Sequence, residues 1–274
     1  MVVQQGKRAS GAGSSRVERK KWGANGHRYQ LDGSWVQGVT TILNTMAKPA
    51  LIDWAAREVT DYANQNWGWL STLSPGERKA LMSSAHNRVR DAAGARGTML
   101  HDVVVPLLRG EPVAQLPLDA DPDVYDLATH AVRFMDEWGI HPILIETVVF
   151  NDDPRYAGTL DLVATAERYP GRVFLIDWKT NRKGIYPEVA LQLSAYANAD
   201  WYVDADGHDR QMADLGITDH LALQLSTEGY DVRPTATGPE VYEFFRLVAG
   251  VSARSGTKAM QTLLLDTMPE GAVA

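Results

Sequence analysis

The sequence predicts an α/β fold of the α+β kind, in which a mixed β-sheet core is flanked by helices and preceded by a helical N-terminal part. Three observations carry this. Apolar residues recur at helical spacing through most of residues 50–138. The pattern then changes to three short apolar runs, 143–150, 158–166 and 173–178, separated by Asp-Asp-Pro and Tyr-Pro-Gly turn signals. A helix, a strand pair and a closing helix follow. With 274 residues, 45% of them hydrophobic, the chain can bury a sizeable core.

Taken in order, residues 1–21 hold six Lys or Arg against Glu18 alone, a balance of +5 that leaves −12 for the rest of a chain of net charge −7. Gly- and Ser-rich and without apolar periodicity, residues 1–25 read as a basic flexible tail, either solubilising or phosphate-contacting. Tyr29–Leu31 and Trp35–Gln37 around Asp32-Gly33 form a short hairpin. Helices are expected from Ala50 to Trp67, from Ser74 to about Ala93, with Ser74 as N-cap and Pro75 in the first turn, from Gly97 to Leu108, and from Asp123 to Trp138. The three apolar runs are strands in succession, most simply an antiparallel meander. Pro187–Asn198 is a helix, His220–Ser226 and Tyr230–Arg233 are a strand pair, and Val241–Val251 is the last helix. Residues 26–95 thus form the helical N-terminal part, and residues 96–274 the core.

Composition excludes several chemistries. There is no cysteine, so disulfides, thiolate zinc sites, iron–sulfur clusters and a cysteine nucleophile are all ruled out. No phosphate-binding P-loop, G-x-S-x-G elbow or H-E-x-x-H helix occurs. No apolar run of membrane-spanning length and no signal peptide are present, so a cytoplasmic location without membrane contact is expected.

Each of the three strands carries one acid in an apolar setting: Glu146, Asp161 and Asp177. Strand alternation puts Asp177 and Lys179 on one face. An acid and a lysine two residues apart at a strand end suit metal-assisted hydrolysis of a phosphodiester, the carboxylate holding a divalent cation and the ammonium positioning water. The acid-x-Lys pattern alone says little, since about one match is expected by chance. Glu18-Arg19-Lys20 and Glu77-Arg78-Lys79 also match, but in polar surroundings where solvated charges suffice. Asp177 follows four apolar residues, and a charge at the end of a buried strand needs a partner or a metal.

Gly97-Thr98-Met99-Leu100-His101, Gly158-Thr159-Leu160-Asp161, Asp177-Trp178-Lys179 and Gln192-Leu193-Ser194-Ala195-Tyr196 stand in the order and spacing of four motifs. Together they resemble the RecB-type branch of the PD-(D/E)XK nuclease superfamily over about residues 95–200. The resemblance implies a restriction-endonuclease-like core and a divalent-metal-dependent DNA nuclease, an exonuclease rather than an endonuclease. It implies His101, Asp161 and Asp177 as ligands of Mg²⁺ or Mn²⁺, helped by the Trp178 carbonyl, with Lys179 orienting the nucleophilic water. Gln192 and Tyr196 would bracket the site and contact DNA. Glu146 would be an accessory acid, either a metal ligand or a hydrogen-bond partner.

The lack of cysteine sets the chain apart from iron–sulfur relatives and makes it resemble stand-alone nucleases of bacteriophages. That resemblance implies action in recombination, repair or DNA processing within a bacterial host, on linear or single-stranded DNA ends, with a recombination or single-strand-binding protein as a further partner. A basic groove of Arg96, Lys179, Arg182 and Lys183 is expected on an otherwise acidic surface, because screening makes local charge decisive for phosphate contact. Two other readings stay open: a catalytically inactive DNA-binding or recombination-partner module on the same scaffold, and a metallohydrolase with another substrate.

Overall fold

The computed structural model describes residues 15–22, 26–113, 120–180, 184–256 and 260. Strand β1 (Val17–Trp22) pairs antiparallel with β2 (Gly26–Leu31), and β2 turns into β3 (Ser34–Gly38). Asp32 and Gly33 both have positive φ, 51° and 74°, as a two-residue hairpin turn matched to strand twist requires. The hairpin is the one expected, but the reading of residues 1–25 as a tail is corrected over 17–22, which form a strand. Its consecutive basic residues Arg19, Lys20 and Lys21 fall on both faces of a paired ribbon, and pairing supplies the order that composition could not reveal. Arg16 ties the ribbon down through Asp32 at 2.9 Å and Asp152 at 2.7 Å.

Helices α1 (Val39–Leu43), α2 (Pro49–Leu70), α3 (Pro75–Ser83) and α4 (Ala85–Arg109) follow. Ser74 and Glu77 close a capping box at the start of α3, so the acid of one chance acid-x-Lys match is a helix cap. The expected break near residues 93–97 lies instead at Ser84. Gly94 and Gly97 sit inside α4, which crosses the expected boundary at 96 without interruption. Tertiary packing overrides the roughly 1 kcal/mol per residue by which glycine weakens a helix. Helix α5 (Asp123–Trp138) ends at Gly139, whose φ of 60° gives the left-handed cap.

Strands β4 (Ile140–Asn151), β5 (Tyr156–Ala166) and β6 (Val173–Lys179) form the expected antiparallel meander. After α6 (Val189–Ala197), the short strands β7 (Trp201–Val203) and β8 (Asp209–Gln211) extend the β4 edge. Strand β9 (Asp219–Leu225) lies parallel to β6 and antiparallel to β10 (Tyr230–Thr235), and α7 (Pro239–Arg254) closes the described chain. The fold is therefore mixed α/β, with a mixed sheet packed between helices.

Two cores cover the two faces of the sheet. On one, Leu193 and Tyr196 of α6 and Phe245 and Val248 of α7 pack on Leu160, Val163 and Leu175. On the other, Leu100 of α4 and Leu127 and Phe134 of α5 pack on Leu162, Ile176 and Leu223. Each such side chain, fully buried, contributes about 1.5–3 kcal/mol. One irregularity places the site. Strand β5 pairs with β3 at Tyr156 and Ala157, then with β6 from Leu162 to Thr165. Between these pairings the sheet forks, and Gly158–Asp161 line the opening.

Candidate metal centre

Asp161 stands at the fork. The β5–β6 ladder ends at the pair Leu162↔Ile176, so β6 diverges and the Trp178 N–H has no strand partner on that side. The Asp161 carboxylate accepts that N–H at 2.8 Å. Across the other edge, the register sets Glu146 opposite Asp161, between the pairs Ile145↔Leu162 and Thr147↔Leu160. Glu146 has φ 47°, a left-handed conformation costing a non-glycine residue about 1–2 kcal/mol. Packing around the site holds it there.

Helix α4 brings His101 over this pair. Its Nδ1 lies 2.5 Å from Glu146 Oε1. One donor atom each from His101, Glu146 and Asp161 falls within 4.8 Å of the others. Asp177 and Lys179 project from one face of β6 as alternation requires, and their charged groups pair at 2.5 Å. Gln192 of α6 donates to Asp177 Oδ1 at 2.9 Å and accepts from Lys179 Nζ at 3.2 Å. Its amide also reaches the Tyr196 hydroxyl at 3.3 Å. Trp178 faces the opposite way and packs edge-on against Phe134.

Close packing explains a glycine in the second motif. A Cβ on Gly158 would stand 2.4 Å from Tyr196 Cε1, so only glycine lets the tyrosine ring lie against β5. Gly97 is different: its Cβ would meet nothing nearer than Thr180 Oγ1 at 3.7 Å.

The electrostatics describe an excess of negative charge. Burial, then the Asp177 carboxylate, pushes Asp161 up to about 7. Burial pulls His101 down, but the hydrogen bond to Glu146 and the charges of Asp161 and Asp177 outweigh it and raise the imidazole to about 9. For Lys179, too, burial is outweighed by Asp177 and Asp161, and its pKa rises. Oxygen and imidazole donors around an undercompensated carboxylate match the donor set of a hard to borderline divalent cation.

All these groups line one open cavity of about 720 Å³. Its walls are α4 from Gly94 to Arg109, the fork of the sheet, and the inner face of the β1–β2 ribbon. No protein-family model matches the chain, and no curated protein matches it.

The structure brings together six residues singled out in the sequence: His101, Glu146, Asp161, Asp177, Lys179 and Gln192. Glu146 makes the hydrogen bond to His101 and also stands among the residues able to hold a cation. Asp177 is engaged by Lys179 and Gln192, and the compact trio of possible ligands is His101, Glu146 and Asp161. Tyr196 also lines the cavity, but its buried ring is wedged on Gly158 and its hydroxyl meets Gln192. The expectation that it contacts DNA gives way to a role in holding Gln192.

Arg96 is also corrected. Its side chain is 8% exposed, ion-paired with Asp121 at 3.4 Å and donating to the Thr180 carbonyl at 3.1 Å. It ties α4 to the end of β6 rather than forming a groove. Arg182 and Lys183 lie outside the described residues. Among the described residues, the arginines that line the cavity with Lys179 are Arg19 and Arg109. Arg19 was hidden in a stretch read as tail, and Arg109 in the last turn of a helix, where a basic residue reads as a dipole partner.

A second group, Asp204, Asp206 and His208, sits in the β7–β8 turn. There Asp204 accepts the backbone N–H groups of Asp206 and His208 and the Arg210 guanidinium, the bonding of a turn.

With no cysteine in the chain, an iron–sulfur cluster is impossible. Among the described residues, no helix is long and apolar enough to cross a membrane.

Proposed function

We propose that the protein is a divalent-metal-dependent DNA nuclease that hydrolyses phosphodiester bonds, an exonuclease acting on DNA ends in phage recombination, repair or DNA processing. The observation that supports this is the convergence of three acids, a histidine and a lysine on the fork of the sheet, within one open cavity. Their order in the sequence and the resemblance of the four motifs add the reaction class.

In this reading Asp161 and His101 hold Mg²⁺ or Mn²⁺ together with Glu146 or Asp177. A bound divalent cation supplies Lewis-acid stabilisation of phosphoryl charge and lowers the pKa of water. Glu146 accepts from Nδ1–H of His101, which fixes the ring and leaves Nε2 as the free nitrogen. Lys179 stays protonated, because Asp177 and Asp161 raise its pKa, and so presents a fixed positive charge to a phosphate. Asp177 and Gln192 hold that ammonium in place, and Tyr196 holds Gln192. Preorganisation of this kind lowers a barrier because charges need not reorient as the reaction proceeds.

The test is digestion of linear and closed-circular DNA with Mg²⁺ or Mn²⁺ by wild type, Asp177→Ala and Lys179→Ala. Metal-dependent loss of linear DNA by wild type alone is expected. Equal activity in all three proteins would overturn the nuclease reading. Cutting of closed circles would remove the exonuclease refinement, and binding without cleavage by wild type would favour an inactive DNA-binding scaffold.

A further inference from the structure

The inner face of the β1–β2 ribbon carries a directed chain of hydrogen bonds that ends beside Asp161. Arg19 Nη2 lies 3.3 Å from His27 Nδ1, His27 Nε2 lies 2.8 Å from the Tyr29 hydroxyl, and that hydroxyl lies 2.9 Å from Thr159 Oγ1. A guanidinium can only donate, so His27 Nδ1 accepts, and its proton sits on Nε2. Nε2–H donates to Tyr29, whose hydroxyl donates to Thr159. Burial and then the Arg19 charge lower the His27 pKa, which keeps the ring in this neutral form. The His27 and Tyr29 rings meet edge to face at 5.2 Å. Thr159 lies two residues before Asp161 on β5, so the relay registers Arg19 against the candidate metal centre.

Two other cations of the ribbon, Arg28 and Lys20, are engaged elsewhere. Arg28 stacks over Trp22 at 3.8 Å, and Lys20 pairs with Glu18. The strand register puts Lys20 opposite Arg28, and Arg19 opposite Tyr29 on the other face. Arg19 lines the cavity with His27 and Tyr29.

We propose that Arg19 is a substrate-positioning residue that binds a backbone phosphate of a nucleic-acid strand in the cavity, held in register with Asp161 by His27, Tyr29 and Thr159. This rests on reading the cavity as a nucleic-acid site. A guanidinium tethered at one nitrogen keeps its remaining N–H donors for a phosphate.

The experiment measures binding of a labelled single-stranded oligonucleotide by fluorescence anisotropy across a salt series, with Ca²⁺ in place of Mg²⁺. Turnover with Mg²⁺ or Mn²⁺ is measured separately. Loss of one phosphate contact lowers the slope of log affinity against log salt by about 0.7–1. Arg19→Ala is expected to show that drop and a higher KM with a smaller change in kcat. Arg19→Lys should restore the slope, and Tyr29→Phe should weaken binding without changing it. Arg28→Ala, on the outer face, should leave both slope and KM unchanged.

An unchanged slope in Arg19→Ala overturns the proposal, as does an equal drop in Arg28→Ala, which would mark diffuse attraction. Absence of binding by wild type overturns it as well. Binding with the expected slopes but no cleavage under either metal would sink the nuclease reading and leave the phosphate contact standing. Cleavage with an insensitive slope would do the reverse.

Discussion

Replacing Asp161 by asparagine should stabilise the metal-free protein above neutral pH and abolish its stabilisation by divalent cations. Asp161 is held at about 7, against 3.8 for an ordinary aspartate. A carboxyl raised in this way contributes stability below its unfolded pKa, and that contribution is lost as pH rises through about 7. At about 1.4 kcal/mol per pH unit, full ionisation costs at most about 4 kcal/mol. The asparagine amide is itself a buried polar group, so the substitution should recover only about 2 kcal/mol of this. The asparagine carbonyl can still accept the Trp178 N–H, which keeps the fork closed. A cation reverses the balance for wild type, since a ligand at about a hundredfold its Kd stabilises the fold by about 2.7 kcal/mol, on the order of 5 °C in Tm for a chain of this size. The assay is thermal unfolding of both proteins, with and without Mn²⁺, on either side of about pH 7. No metal-dependent shift in wild type, or the same shift in Asp161→Asn, would refute the reasoning.

Three further outcomes follow from the geometry. Metal binding should release a proton from His101, whose pKa is raised to about 9. The stability of its pair with Glu146 is fully present below 6.5 and lost as pH rises through about 9, so apparent Mn²⁺ affinity should rise across that window. Glu146→Gln should flatten the rise, as measured by calorimetry in buffers of different ionisation enthalpy. Gly158→Ala should destabilise the protein by about 1–3 kcal/mol, because its methyl group collides with the Tyr196 ring. Gly97→Ala should be neutral or gain up to about 1 kcal/mol in α4, and chemical denaturation of the two separates them. Arg96→Ala should cost about 2–4 kcal/mol of stability by leaving Asp121 and the Thr180 carbonyl without their partner, yet leave the salt dependence of oligonucleotide binding unchanged.

The alternation of Val173–Lys179 was enough to put Asp177 beside Lys179, and the three apolar runs were enough to make a meander with one acid each. Both follow from period-two geometry, which is local and survives in any context. Helix ends were legible where a cap enforces them, as at Ser74 and Gly139. They were not legible at Gly94 and Gly97, where long-range packing carries α4 through residues of poor propensity. The basic N-terminal stretch looked unstructured because a strand with charges on both faces has no apolar pattern. Only its pairing with β2 makes it a strand.

The sequence by itself determined the mixed α/β class, the exclusion of cysteine chemistry and the set of residues able to meet at one centre. The tertiary structure decided their use. It opened the sheet at Gly158–Asp161, committed Asp177 to Lys179, turned Glu146 toward His101, buried Arg96 and brought Arg19 to the cavity wall. Each depends on distances between residues far apart in the chain. Composition and spacing specify which side chains are available, but charge pairing and exposure are set by what folding places within a few ångströms.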